Sequence, residues 1–487
     1  MIGLELLSIV IYFIILLSIG VLSYRGHSSA TDFIIGGRSL NYWLTALAAH
    51  ASDMSSWIFM GYPAVIFTGG LFQSWAAIGL IAFMFLNWQL IAPKIRVATE
   101  QYNSLTFSSY FESRLADTSG TIRIFTALMS LFFYTIYISA ALVGLGILLE
   151  ILFNTNYDLG ILIGIFIVIP YVFIGGYHTL AWIDLFQGVF LLIVLAIVSL
   201  FLLSQVGGSS AISLALTQKN LTSSLFPDFS SHTFKEIFYM FTGWGIGYFG
   251  QPHIITKFMG IKNVHEIPKS KWIGMSWMVI SLSAATLVGL VGVAHFTQGL
   301  AQPELVFIKI VKESFSPFLI GFILCAVLAA TINAMSSQVL VLSSNLTEDF
   351  YKKLIHPKAS SKELLIVSRA GVILVTMIAY LIAYVKPVSI YTLVLYAWSG
   401  LGASFGPLLL LSLYSKKINK YGAWTGILLG GGIAAVWPYI NEYYKQDIPS
   451  MIPAFSISFL SILIVSYCTQ KEKKYTESDS ENNEYTN

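Results

Sequence analysis

An almost wholly apolar stretch, residues 41–68, carries near its middle the sequence His50-Ala51-Ser52-Asp53-Met54-Ser55-Ser56-Trp57. The stretch is long enough to cross a bilayer, but small polar residues around one carboxylate weaken a helix at that point. An ionisable group at the membrane centre costs about 2.5 to 3.5 kcal/mol on insertion scales, so such a residue usually serves a function. The sequence therefore predicts a helix that breaks at the membrane midplane, with Asp53 facing a cation or a water-filled cavity. The simpler interpretation is that Asp53 only hydrogen-bonds to a neighbouring helix.

The composition is that of an integral membrane protein with helical spans. Only 10% of the residues are charged, 56% are hydrophobic and the mean hydropathy is +0.75, whereas about 25% of the residues of a soluble domain are charged. Runs such as residues 165–173 and 190–203 are apolar on every face, whereas barrel strands would alternate. Apolar windows of about 20 residues occur at about thirteen sites. These predicted spans are 4–23, 41–68, 71–92, 123–153, 159–176, 181–205, 236–259, 271–297, 316–344, 365–385, 388–413, 421–443 and 449–468.

The lysines and arginines divide unequally between the two sides of these spans. Of the 27 basic residues, all but six fall on one set of alternate connections. The six are Lys219, Lys235, Lys309, Lys312, Lys386 and Lys445. Cytoplasmic loops carry the basic excess, so we expect the amino terminus outside and the tail, residues 469–487, in the cytoplasm. The tail is polar without apolar periodicity, which predicts disorder.

A second predicted span is interrupted as strongly as the first. Between residues 241 and 253, four glycines within eight residues are followed by Pro252 and His253. Each glycine costs a helix about 1 kcal/mol relative to alanine, and a proline costs about 3 kcal/mol. Irregular backbone at that depth is tolerated only where it is buried in protein or lines water.

The two interruptions lie in the first helices of two five-helix blocks, residues 41–205 and 236–413. Because five is an odd number, the second block enters the membrane from the opposite side, and the blocks are inverted repeats that form a ten-helix core. Corresponding broken helices in two halves indicate the substrate and ion site of a secondary transporter. The alternative is that both breaks are packing glycines at crowded helix contacts. The remaining predicted segments are the first helix and loop (1–40), an outside connection (206–235), two peripheral helices (414–468) and the tail (469–487).

A broken helix exposes unpaired N–H groups at one end and unpaired C=O groups at the other, which suit a carboxylate and a small cation respectively. Asp53, Ser55 and freed carbonyls are oxygen ligands for such a cation. Aromatic residues could wall a compact apolar substrate, although each one taken singly is more often a packing residue in a chain with 15% aromatic residues. These aromatic residues are Trp57, Tyr137, Trp244 and Tyr248.

At these positions the sequence resembles the sodium/solute symporter family, in its proline-transporting branch, over about the whole chain. The matching segments are Gly36-Gly37-Arg38-Ser39-Leu40, Ala51-Ser52-Asp53-Met54-Ser55, Phe173-Ile174-Gly175-Gly176, Gly243-Trp244-Gly245, Gly247-Tyr248-Phe249-Gly250-Gln251-Pro252-His253-Ile254 and Thr347-Glu348-Asp349. The first segment marks the broader family, whereas residues 52–55 and 247–254 together are specific to the proline branch.

The resemblance implies a multi-pass protein of the bacterial plasma membrane that imports L-proline with sodium by alternating access. It implies no enzymatic activity, no cofactor besides the coupling sodium ion and no nucleic-acid partner. The implied sodium-site positions are Ala51, Asp53, Met54 and Asn333, with Asp184, Ser336 and Ser337 at a second site seen in some relatives. The implied proline-binding positions are Ser55, Trp57, Tyr137, Trp244, Tyr248 and Pro252. Arg38 resembles a cytoplasmic-side residue that matters for turnover.

One position departs from the family pattern. A hydroxyl pair commonly completes the main sodium site, but here the aligned residues are Asn333 and Ala334. The amide carbonyl can replace one hydroxyl oxygen, whereas alanine cannot replace the other, so the site is weaker for sodium, differently assembled or coupled to protons. His50 also departs from a small residue, and it is either a proton handler beside Asp53 or the lining of a watery vestibule.

Other function classes fit the residues less well. A proton-coupled transporter, or one for another small solute, would share the whole architecture. A membrane-embedded enzyme would need a zinc-ligand spacing or a nucleophile, base and orienting group, and the broken-helix trio His50, Asp53 and Ser55 suits binding better. A sensor or channel would need a signalling domain or a polar pore lining. The sequence leaves the oligomeric state open.

Overall fold

The structure, a computed structural model, describes residues 2–23, 34–153, 155–385 and 389–483, without the side chains of residues 167–176, 354, 361 and 471–483. Arg25, Lys386 and the side chains of the motif 173–176 therefore lie outside the described residues. The α-helices, numbered along the chain, are α1 (Ile2–Ser23), α2 (Tyr42–Met54), α3 (Gly61–Gly69), α4 (Trp75–Leu86), α5 (Ala92–Gln101), α6 (Phe107–Arg114), α7 (Thr121–Phe153), α8 (Tyr157–Gln205), α9 (Gly208–Gln218), α10 (Ser231–Gly245), α11 (Pro252–Met259), α12 (Ile267–His295), α13 (Val306–Ser314), α14 (Pro317–Ser344), α15 (Ser361–Val385), α16 (Ile390–Tyr414), α17 (Lys420–Tyr444) and α18 (Met451–Asn483). A π-helical turn, Asn87–Ile91, joins α4 to α5, and a longer one, Asn345–Ile355, extends α14.

The predicted all-α membrane fold is confirmed. Within the described residues, ten helices are long and apolar enough to cross a membrane. The other three predicted spans, 41–68, 159–176 and 236–259, fall on the broken pairs α2/α3 and α10/α11 and on the first part of α8, where Tyr157–Phe166 is a shorter apolar helix. Each of the thirteen predicted spans therefore has its counterpart in the structure.

Helix α8 contains two of the predicted spans. A straight helix of its 49 residues would be about 74 Å long, more than twice the hydrocarbon thickness. Its last turns instead return to the end of the molecule where it begins: Phe201 packs against Phe315 at 4.9 Å between ring centroids, and nearby Lys312 donates to the carbonyl of Ile151 near the end of α7. The chain therefore reverses direction within α8, in agreement with two separate crossings.

The first predicted break lies where the sequence places it. Helix α2 begins at Tyr42, where the Asn41 side chain accepts a hydrogen bond from Leu44 N–H, and it ends at Met54. Ser55 follows in a left-handed conformation, with φ of 46°. Its hydroxyl accepts a hydrogen bond from Trp57 N–H at 3.2 Å, which stabilises the turn before α3 begins at Gly61.

The second break is formed by the predicted glycine and proline residues. Helix α10 ends at Gly245, a short 3-10 segment spans Ile246–Gly250, and Gln251 is extended before Pro252 begins α11. A β-carbon on Gly250 would lie 2.6 Å from both the Gly402 carbonyl oxygen and the Gly406 amide nitrogen of α16. Glycine is thus required here because the broken segment packs directly on the backbone of α16.

Backbone pairing joins the two repeats at one end of the molecule. Leu40 N–H donates to the Gly260 carbonyl at 3.1 Å, and Lys262 N–H donates to the Leu40 carbonyl at 2.8 Å. Leu40 precedes α2 and Gly260 follows α11, so one end of each broken helix lies at this bridge. We call this end, where Arg38, Arg96 and Lys262 lie, the basic end.

Helix α18 is described as far as Asn483, which includes part of the segment 469–487. The disorder expected for that segment from its composition stays a prediction. No glycine or proline after Pro453 interrupts this helix.

Replacing Gly250 with valine is expected to destabilise the fold. The added atoms would meet backbone rather than a flexible side chain, and overpacking of this kind costs about 1 to 3 kcal/mol. The purified Gly250→Val variant should therefore unfold at a lower temperature than the native protein in the same detergent. Gly432→Val is the matched control, because nothing lies within 4 Å of its added β-carbon. Equal unfolding temperatures for the two variants would contradict the close contact.

Candidate functional site

The two breaks meet through one hydrogen bond. The Tyr248 hydroxyl, from the second break, donates to Oδ2 of Asp53, from the end of α2. Tyr248 is fully buried, and Asp53 is 5% exposed. The simpler sequence interpretation, a bond from Asp53 to a neighbouring helix, is thus realised, and the partner is the other broken helix.

Asp53 also borders a small cavity between the breaks. The cavity has a volume of about 20 Å3, enough for about one water molecule in this conformation. Its lining is mostly aromatic and apolar, with Asp53 as its one acidic side chain. The lining residues are Asp53, Met54, Trp57, Leu80, Tyr137, Trp244, Tyr248, Val394 and Trp398. A larger molecule enters this space only if the aromatic side chains move apart, and it would then meet mostly apolar surface and one carboxylate.

Aromatic side chains close the cavity on the side away from the basic end. The rings of Trp57 and Trp244 lie 5.0 Å apart between centroids, and Trp57 also stacks on Tyr62 at 5.1 Å. Trp244 Nε1 donates to the Tyr391 hydroxyl at 2.8 Å, and Tyr391 N–H donates to Glu304 at 3.3 Å. Burial raises the pKa of the Glu304 carboxyl, which lies in the connection before α13. A ligand can leave on this side only after these contacts separate.

Most of the predicted substrate positions line this cavity. The exceptions are Ser55, whose hydroxyl is bonded to Trp57 N–H, and Pro252, which begins α11. The sequence prediction omitted Leu80, Val394 and Trp398. Trp398 Nε1 donates to the Trp244 carbonyl at 2.8 Å, and its ring meets Tyr248 edge-on at 5.0 Å. The closely spaced Gly400, Gly402 and Gly406 could have indicated that α16 lies at the site, since small residues permit close approach of another backbone.

Oxygen atoms suited to a cation lie at the end of α2 and on the facing α14. Ala51 and Met54 belong to the last turn of α2, whose carbonyls have no partner within the helix. Helix α14 packs against α2 and carries Asn333. Asn333 is fully buried, and within the described part of the chain neither its amide oxygen nor its amide nitrogen has a hydrogen-bond partner. A buried amide without partners is costly, so Asn333 is a candidate ligand position.

The other three predicted cation positions lie apart from this cavity. Asp184 of α8 and Ser337 of α14 come together, and both contact the ammonium of Lys257 from α11. The Ser336 hydroxyl bonds back to the Ile332 carbonyl at 2.7 Å. The sequence interpretation counted Lys257 with the loop residues. Its position inside the predicted span 236–259 was the signal, because a charge within a span is a functional candidate.

His50 points away from the cavity into an aromatic cluster. Its Nε2 accepts a hydrogen bond from Trp88 Nε1 at 3.1 Å, and its ring lies 6.0 Å from that of Trp277. The backbone of Gly274 also closely approaches the imidazole. This setting explains how a histidine is accommodated in α2, while its coupling role stays a prediction.

Arg38 holds several segments together at the basic end. Its guanidinium donates to Thr99 Oγ1 and to the carbonyls of Thr99, Ser104 and Met259, at 2.9 to 3.1 Å. Met259 ends α11 and Thr99 lies in α5. One side chain therefore connects the start of the first repeat to α11, the second half of the second broken helix.

Comparison with known proteins places this geometry in a family. A sequence model of the sodium:solute symporter family matches residues 33–430. The chain is 38% identical to a high-affinity proline transporter of Bacillus subtilis, over 93% of this chain and 96% of the relative. It is 35% identical to a sodium/proline symporter of Haemophilus influenzae, over 96% and 95% of the two chains.

Solved structures share the fold. A Na+-coupled sialic acid symporter in a substrate-bound outward-open state superposes with a TM-score of 0.81 at 18% identity, covering 96% of this chain and 98% of that one. The transporter MhsT in complex with L-phenylalanine gives a TM-score of 0.57 at 14% identity, covering 88% and 98%. At these identities the likeness concerns the fold alone.

Removing the Arg38 guanidinium is expected to open the basic end. A hydrogen bond from a charged group contributes about 1.5 to 3 kcal/mol, so the loss of even one shifts an equilibrium by about tenfold. Val341 lines a cavity at this end, and a cysteine placed there reports its accessibility. In a protein lacking Cys325 and Cys468, Arg38→Gln should speed alkylation of Val341→Cys about tenfold.

Arg114→Gln is the matched control for this measurement. Arg114 donates to the carbonyls of Ser412 and Ser415, which belong to another contact. An alkylation rate that rises equally in both variants would show a general loosening and contradict the specific role of Arg38.

Proposed function

Because the chain belongs to the sodium:solute symporter family, we propose that it carries L-proline into the cell together with sodium, and that both bind between its two broken helices. The observation that carries this proposal is the meeting of Asp53 and Tyr248 at the two breaks, beside a small cavity lined by aromatic side chains. Substrate identity follows the proline-transporting relatives, and the aromatic side chains around the cavity would have to move apart to enclose the proline ring.

The sodium ion is proposed to lie between the end of α2 and α14. Asp53 supplies the negative charge, the last carbonyls of α2 at Ala51 and Met54 supply neutral oxygens, and Asn333 supplies its amide oxygen. This set gives the unpartnered Asn333 amide a ligand. It also places the negative end of the α2 dipole at the cation.

Proline is proposed to occupy the neighbouring aromatic cavity. Trp57, Tyr137, Trp244 and Tyr248 would pack on its ring, while Ser55 and Pro252 shape the two breaks that carry Trp57 and Tyr248. Its carboxylate would face the start of α11, because that end of a helix is positive.

Coupling of sodium binding to proline binding follows from the neighbouring positions of the two proposed sites. A cation bound to both α2 and α14 would hold the first broken helix in the conformation that forms the substrate cavity, so less binding free energy is lost in ordering it. Separation of the aromatic contacts on one side, or of the Arg38 contacts on the other, would then expose the site alternately to each face of the membrane.

The finer topology is also part of the proposal. The excess of basic residues on one side supports a cytoplasmic basic end, an external amino terminus and a cytoplasmic tail. The two repeats are residues 41–205 and 236–413, joined by the outside connection 206–235.

Proton coupling is the second candidate. It is favoured by the pair Asn333 and Ala334, which lacks the hydroxyl oxygens that commonly complete the sodium site. Uptake of labelled proline by proteoliposomes at fixed pH, driven by a sodium gradient or by a proton gradient alone, separates the two. We expect uptake only with sodium. Accumulation driven by the proton gradient in sodium-free buffer would favour the second candidate instead.

Replacing Asp53 with asparagine is expected to weaken the sodium response. The change keeps the size of the side chain but removes a charged ligand worth about 1.5 to 3 kcal/mol, so half-maximal proline uptake should need at least about tenfold more sodium. Asp447→Asn, a change at an exposed acid in a connecting loop, should leave the sodium response as it is. An unchanged sodium requirement in folded Asp53→Asn protein would exclude Asp53 as a ligand.

A further inference from the structure

Lys257 is a buried lysine of α11, the second half of the second broken helix. Its side chain is 2% exposed, and its Nζ donates to Asp184 Oδ2 at 2.9 Å and to Ser337 Oγ at 3.2 Å. The ammonium also lies 5.1 Å from the centre of the Tyr177 ring. A carboxylate, a hydroxyl and an aromatic face around one positive charge make up a cation site, and here a side chain of the protein fills it.

This cluster is separate from the Asp53 cavity. Tyr177, Lys257 and Ser337 instead border a second cavity of about 20 Å3, which also touches His253 and Asn345. None of these residues lines the space beside Asp53. Asp53 and Asp184 thus lie at separate places in the core, and two partners of Asp184's cluster, Lys257 and Ser337, border the second cavity.

The charges of the cluster are balanced as it stands. Asp184 and Lys257 are both almost fully buried, and a carboxylate in such a place needs a positive partner. Sodium bound to both Asp184 and Ser337 would lie at or directly beside the ammonium, because Nζ already contacts Asp184 Oδ2 and Ser337 Oγ. Two positive charges so close together would repel strongly, so occupation by sodium and by Lys257 exclude each other.

The ion pair also joins three elements that the proposed cycle must move. Lys257 belongs to α11, Asp184 to α8 and Ser337 to α14. A bound ion at this position would join the same elements only while it stayed bound, whereas the lysine is attached to α11 permanently.

We propose that Lys257 is a tethered cation that takes the place of a second sodium ion, so that the protein binds and carries one sodium ion for each substrate molecule. This inference rests on the proposed sodium-coupled function. It assigns Asp184 and Ser337 to the lysine rather than to a transported ion, and it leaves the site at Asp53 and Asn333 as the single sodium site.

The test counts bound sodium in the purified full-length protein with radioactive sodium. We expect one sodium ion per native protein molecule and a Hill coefficient near one. In Lys257→Met the carboxylate of Asp184 loses its partner and becomes free for an ion, so two sodium ions should bind and the Hill coefficient should rise above one. In the double variant Lys257→Met with Asp184→Asn, the count should return to one.

Lys271→Met is the matched control, because the Lys271 ammonium donates to Gln89 at the exposed surface and lies over the rings of Phe85 and Trp272, with no acidic partner among its described contacts. It should bind one sodium ion, like the native protein. Two sodium ions in the native protein, or one in folded Lys257→Met, would overturn the inference. If Lys257→Met does not fold, the count in the native protein and in the charge-neutral double variant decides. Absence of any sodium binding to the native protein would overturn the proposed function instead.

Discussion

The hydrogen bond from Tyr248 to Asp53 is the contact on which the arrangement of the core depends. It joins two helices that have both lost their internal hydrogen bonds at the same depth, and it places the one acidic group of the central cavity opposite the second break. Each break alone would leave polar backbone groups in the membrane without water, which is costly. Placed against each other, the breaks are enclosed by protein and leave a small cavity for a ligand.

Two separate sets of contacts, one at each end of the molecule, close the structure on either side of the central cavity. At the basic end, two contacts hold α2 and α11 together: the hydrogen bonds of Arg38 and the pairing of Leu40 with the segment after Met259. At the other end, the Trp57 and Trp244 rings cover the cavity, and Tyr391 holds Trp244 in place. Alternate access needs such separate closures, because opening one end must leave the other closed.

The sequence was informative where local chemistry decides the structure. The polar run around Asp53 and the glycines before Pro252 break helices by their own backbone preferences, so both breaks and the thirteen spans could be predicted. Contacts between distant elements could not. Leu80 and Trp398 are ordinary apolar residues until the fold brings them to the cavity, and Lys257 resembled a loop residue until α11 placed it beside Asp184.

Mutual enhancement of sodium and proline binding tests the central claim most directly. If both bind at the paired breaks, the factor by which saturating sodium lowers the Kd of proline must equal the factor by which saturating proline lowers the Kd of sodium. Calorimetric titration of the purified protein, with potassium replacing sodium at constant ionic strength, measures both factors. The account predicts equal factors well above one. A proline Kd that is the same in sodium and in potassium would contradict it.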